Sequence, residues 1–187
     1  MDRIFNRAIR IMLFTNALVL AAGAMLGPIY ALFVEQVGGD LMDASLTGGV
    51  FALAAGITTI LAGRYADRIK ENELIIVFGY VLMGIGFLLM TKVNSIWFLF
   101  GTQALIGFAE AVYSPAFDAV YSKHLPDCRR GKYWGAWEAV NYFMAAAGAF
   151  AGGFLVYHFG FDFLFIIMAI LAMGSAVYIY FLPRKVL

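Results

Sequence analysis

Glu110, Glu138 and Asn16 each lie well inside a long run of apolar residues. An ionisable group in hydrocarbon is costly, and it is kept there for a partner, a proton or a ligand. At 1.5 Å of rise per residue, all three fall about 10 Å from the inner ends of their runs, so they share one layer. Helical phase adds neighbours. Gln103, Glu110, Ser114 and Tyr121 fall on one stripe, with Gly107 beside it. Trp134, Glu138 and Asn141 form a second, with Trp137 close by. A polar stripe on such a helix should face water or a partner group. Desolvation and neighbouring acids both favour the protonated form of a carboxylic acid, so Glu110 and Glu138 are candidates to bind substrate or to exchange a proton. The plainer alternative is a structural hydrogen bond to Asn16, Asn141, Tyr113 or a neighbouring segment.

No Lys or Arg lies within the apolar cores of these runs. Phosphate esters and carboxylates would meet only like charge there, so a cationic or neutral solute fits better. Trp134, Trp137, Tyr113 and Tyr142 with the amides of Gln103 and Asn141 suit the alternative of a neutral sugar or polyol. Asp118 reads as an inner-interface partner for Arg129 or Arg130, and His124 as a loop residue. Cys128 is the single cysteine, which excludes a disulfide framework. With no nucleophile–base pair and no metal-ligand cluster, neither an enzyme, a metal site nor a cofactor is expected.

The elements that position these residues follow from composition. Of the 187 residues, 63% are hydrophobic and 13% charged. A span needs ~20 apolar residues to cross the bilayer core. Six runs qualify, at about 9–34, 45–66, 73–92, 95–121, 132–157 and 161–182. They are unbroken rather than alternating, so an all-α membrane protein is expected, not a barrel. The first run is too long for a signal peptide and is read as an uncleaved span. Of the 13 Lys and Arg residues, only Lys92 falls on the side opposite the rest. That bias predicts both termini in the cytoplasm and a multi-pass protein of the cell's inner membrane. The basic residues are divided among four short segments, which argues against nucleic acid as a partner.

Three motifs carry a family resemblance. Between the second and third runs the chain reads Gly63-Arg-Tyr-Ala-Asp67-Arg68-Ile-Lys70-Glu71-Asn72. The first half resembles the loop signature of the major facilitator superfamily, and Lys70, Glu71 and Asn72 replace its ending. Gln103, Gly107, Pro115, Pro126, Arg130, Gly131 and Gly135 resemble the family's fourth span, inner loop and fifth-span start, with Phe100 where many proton-coupled members carry an arginine. The spaced small residues Gly135, Met144, Gly148, Ala149, Gly152 and Gly153 resemble its antiporter signature, with Met144 and Ala149 in place of a glycine and a proline. The resemblance covers the whole chain as the family's N-terminal half. It implies six spans forming half of a transporter fold that works by alternating access. It also implies that Asp67, held by Arg68 or Arg64 near Gly63, latches the two halves on the cytoplasmic side.

Major-facilitator halves are related by an axis along the membrane normal, so a second copy of this chain is able to supply the missing half as a homodimer. Gly48, Ala52, Ala55 and Thr59 form a small-residue stripe on the second run. Ala145, Gly148 and Gly152 do so on the fifth. Small stripes let helices approach closely. The expectation is that the second run packs on the fifth of the partner; the alternative is that both stripes pack within one bundle. A half-size secondary transporter, acting as a homodimer within membrane lipid, is therefore the reading. A structural subunit that pairs with a separate half is the alternative outside transport.

Overall fold

The computed structural model describes residues 5–66 and 71–183, and among them the fold is all helical. The helices are α1 (Arg7–Leu26), α2 (Tyr30–Gln36), α3 (Leu41–Ala66), α4 (Asn72–Met90), α5 (Ile96–Lys123) and α6 (Arg130–Tyr180). Their starts are set by local chemistry. The Asn6 side chain caps α1, accepting from the Ile9 amide at 2.8 Å, and Ser95 caps α5, accepting from the Phe98 amide at 3.3 Å. Asp40, just ahead of α3, and Asp43 in its first turn accept from each other's amides, at 2.9 and 3.1 Å. Such caps satisfy amides that have no partner within the helix. The first predicted run divides at Gly27–Ile29, a 3-10 turn with Pro28 near its start. The proline has no amide hydrogen to continue the α-helical ladder.

Six runs were predicted, but five helical segments among the described residues have the length and apolarity to cross a membrane, because 51 residues fall in α6. That helix is not straight. Gly160 has φ 81° and ψ 174°, a backbone that a residue with a side chain rarely adopts. The contacts of α6 with the first run show what happens there. Tyr133 meets Phe5, Gly148 meets Ala21, and Gly152 meets Met25. Beyond the break, Phe161 and Phe165 meet Phe33, and Ser175 meets Thr15. The chain ascends along α1 and descends again, so it reverses at Gly160.

Glycines set the closest approaches between helices. A Cβ on Gly107 of α5 would collide with the Phe51 carbonyl of α3, and one on Gly152 with the Met25 carbonyl of α1. At Gly148 it would lie 2.7 Å from the Ala21 carbonyl oxygen, and at Gly79 2.6 Å from Tyr113 Cβ. Gly84 similarly receives Met173. This corrects one expectation. Gly148 and Gly152 are buried against α1 of their own chain and are not open to a partner. Ala145 stays exposed on another face of α6. On α3 the stripe remains open: Gly48, Ala52 and Thr59 are exposed, and Ala55 is half-buried.

A packed glycine and an open one therefore respond differently to the same change. Gly152→Val is expected to lower stability by about 1–3 kcal/mol or prevent folding, while Gly153→Val, with nothing within 4 Å of its Cβ position, is tolerated. Thermal unfolding of both variants in detergent checks this.

Candidate substrate cavity

All six helices contribute to an open cavity of ≈ 460 Å³. Its wall on α1 is small or apolar, with Val19, Leu20, Gly23 and Ala24. From α5 come Gln103, Ile106, Glu110 and Tyr113, and from α6 come Asn141 and Met168. Tyr30, Gly48, Phe51, Met83 and Phe87 complete the main lining. The volume lies within the ~300–1,000 Å³ range of small-molecule sites. Glu110 is the one carboxylate in the lining, and no basic side chain joins it. Its side chain is exposed to the open space rather than enclosed among helices.

Four of the seven residues predicted for the site therefore meet in one place: Glu110, Gln103, Asn141 and Tyr113. The other three do not line it. Asn16 is 3% exposed and sits in the wall, where its Oδ1 accepts from the Tyr80 hydroxyl at 3.2 Å. Tyr80 in turn meets the Tyr113 ring edge-on, 4.8 Å between centroids. Asn16 thus supports a cavity residue from behind. Glu138 is exposed on α6 away from the lining. Trp137 packs against Trp134, which packs against Tyr121, with centroids 5.9 and 5.2 Å apart. The indole N–H of Trp137 is buried without a hydrogen-bond partner among the described residues. The Tyr121 hydroxyl donates to the Tyr133 carbonyl at 2.6 Å, which joins this aromatic group to the start of α6.

Sequence reasoning missed Tyr30 and Thr47. The Tyr30 hydroxyl donates to Thr47 Oγ1 at 2.6 Å, and Thr47 donates to the Asp43 carbonyl at 2.7 Å. This pair ties α2 to α3 where Tyr30 lines the cavity. The available signal was Gly27-Pro28 inside an apolar run, which marks a break and a change of direction. Of the predicted latch, Gly63 ends in open space, with nothing within 4 Å of its Cβ position. Asp67 and Arg68 lie outside the described residues.

Membrane-length apolar helices thus surround an open cavity lined by a few polar side chains. The chain matches the Major Facilitator Superfamily over residues 12–186. It belongs to that family and is an integral, multi-pass membrane protein. It is similar to an MFS-type transporter of Methanocaldococcus jannaschii, 24% identical over 193 residues, spanning 98% of this chain and 46% of the relative. It is also similar to the multidrug resistance protein MdtG of Proteus mirabilis, 22% identical over 177 residues, spanning 92% of this chain and 44% of the relative. The chain thus spans about half the length of these relatives. The MFS-type transporter YitZ of Bacillus subtilis differs: at 23% identity over 150 residues, the match spans 80% of this chain and 91% of the relative.

The division between cavity and wall is open to chemical labelling. In a Cys128→Ser background, which removes the exposed native thiol, Glu110→Cys is expected to react with a water-soluble thiol reagent. Asn16→Cys should stay protected at the same reagent concentration. Equal labelling of both would contradict the assignment.

Proposed function

We propose that this chain is half of a secondary transporter that moves a cationic or neutral, partly apolar organic solute by alternating access. The observation that carries the reading is the open cavity, whose lining holds one carboxylate, two amides and no cation among mostly apolar side chains. Glu110 is the group that pairs with a cationic solute or exchanges a proton. Gln103 and Asn141 orient polar atoms, and Tyr113 offers a ring. The mainly apolar wall fits a lipophilic solute better than a sugar, and the multidrug resistance name of one relative points the same way.

Six crossings are part of this reading. A 51-residue helix would measure about 77 Å, far more than the ~30 Å core. Residues 130–159 and 161–180 are therefore assigned to separate crossings, joined at Gly160. With twelve of 13 basic residues on one side, both termini are placed in the cytoplasm of a cell's inner membrane. A second copy supplies the other half, related by an axis along the membrane normal. The open stripe of α3 supports this, with Ala145 as the exposed small residue facing it from α6 of the partner. Asp67 is retained as the cytoplasmic latch between halves.

Reconstitution into proteoliposomes tests transport. Uptake of lipophilic organic cations is expected, against no uptake of sugars, and Glu110→Gln should cut cation flux at least tenfold and remove any response to a pH gradient. Flux that is unchanged in Glu110→Gln would remove that residue from the mechanism. Pairing is checked separately by mixing Ala52→Cys and Ala145→Cys chains, both carrying Cys128→Ser. A disulfide-linked dimer is expected on oxidation, and a chain that stays monomeric at high protein-to-lipid ratio would sink the homodimer.

A further inference from the structure

The start of α1 carries a second recess, separate from the cavity. Arg7, Arg10, Ile11, Phe14 and Tyr178 line a cleft of ≈ 280 Å³ between α1 and the descending part of α6. The α1 residues follow i, i+3, i+4, i+7 spacing. Helical phase puts them on roughly the opposite face of α1 from Leu20, Gly23, Ala24 and Gly27 of the cavity.

The cleft is ordered by depth. Two guanidinium groups stand at its outer rim, and no carboxylate is among the lining residues. Phe14 lies seven residues further along, about 10 Å deeper. There it meets Tyr178 edge-on, 6.5 Å between centroids. Both rings remain open to the surroundings, Phe14 at 59% exposure and Tyr178 at 47%. Arginine presents planar pairs of N–H donors that match phosphate oxygens two at a time. A soluble anion would engage the arginines and leave the rings uncovered. A phospholipid engages both, with phosphate at the rim and the start of an acyl chain along the rings.

We propose that this cleft is a binding site for an anionic phospholipid of the inner leaflet, with Arg7 and Arg10 holding the headgroup phosphate and Phe14 and Tyr178 seating the chain. The leaflet rests on the orientation proposed above; the lipid chemistry rests on the cleft alone. Because the site lies away from the cavity, it remains open to lipid while a second half covers the cavity.

The test uses the purified full chain in neutral detergent, titrated with phosphatidylglycerol or phosphatidylcholine and read by native mass spectrometry. Phosphatidylglycerol is expected to bind in preference. Arg7→Gln/Arg10→Gln should weaken it by roughly tenfold or more, in line with two basic side chains at a charged membrane surface. Lys123→Gln, a basic residue on the same side but outside the cleft, should leave binding unchanged. Phe14→Ala should weaken phosphatidylglycerol without altering the response to inorganic phosphate. Equal binding of the two lipids would overturn the proposal, as would equal losses in Lys123→Gln and the double variant. Full displacement of phosphatidylglycerol by excess inorganic phosphate would also overturn it, since it would assign the cleft to soluble anions. If the double variant does not fold, each single arginine variant is read in the same way. None of these readouts depends on transport, so failure here and failure of the carrier reading are separable.

Discussion

The backbone contact between α1 and the ascending part of α6 is the constraint on which the bundle depends. Apolar side chains gain little by leaving lipid for other apolar side chains, so membrane helices associate through close packing. Gly148 and Gly152 allow the α6 backbone to reach the carbonyls of Ala21 and Met25. That approach fixes the height and rotation of α1. Its rotation in turn directs Leu20, Gly23 and Ala24 toward the cavity and Thr15 toward Ser175, whose hydroxyl lies 3.2 Å from the Thr15 carbonyl oxygen. The same device recurs at Gly107 against the Phe51 carbonyl, while Gly84 instead receives the Met173 side chain. Backbone proximity therefore holds much of the cavity wall, with the Tyr30–Thr47 hydrogen bond adding a polar tie at its margin.

The polar layer divides by function once the walls are set. Asn16 and Tyr80 hydrogen-bond inside the bundle and are spent on holding each other and the Tyr113 ring in place. Glu110 has no such enclosure and opens on the cavity. An ionisable group in that position is a candidate to meet water, a proton or a solute. Tyr30 and Thr47 join α2 to α3 at the cavity margin by a 2.6 Å hydrogen bond, which secures the short helix that follows the break at Pro28.

Most of the helices were legible from apolar run length, and their observed bounds differ from the predicted ones by a few residues: 73–92 against Asn72–Met90, and 95–121 against Ile96–Lys123. Helical phase also put Gln103 and Glu110 on one face, and both line the cavity. Depth alone was less informative. Residue counting placed Asn16, Glu110 and Glu138 in one layer, but depth says nothing of rotation, and of the three only Glu110 lines the cavity. The small stripe of the fifth run was ambiguous for a related reason. Glycine at helical spacing reports that a backbone comes close, but not whose; Gly148 and Gly152 were filled by α1 of the same chain. The break at Gly160 falls in the gap between the last two apolar runs, where the backbone leaves the helical conformation.

The remaining asymmetry lies in α3. Only 6% of its apolar stretch is buried, against 33% to 44% in the other membrane-length segments. Leu53, Ile57 and Ile60 on its surface are compatible with lipid. Gly48, Ala52 and Gly56 leave low ground among them, which a helix fills more completely than mobile acyl chains do. Lipid is a still poorer cover for the cavity beside it. An open recess carrying Glu110, Gln103 and Asn141 would expose a carboxylate and two amides to hydrocarbon, at a cost of several kcal/mol. Water and a second protein surface remove that cost together. The chemistry of the cavity thus favours the second half proposed above, and the small-residue face of α3 is exposed beside it.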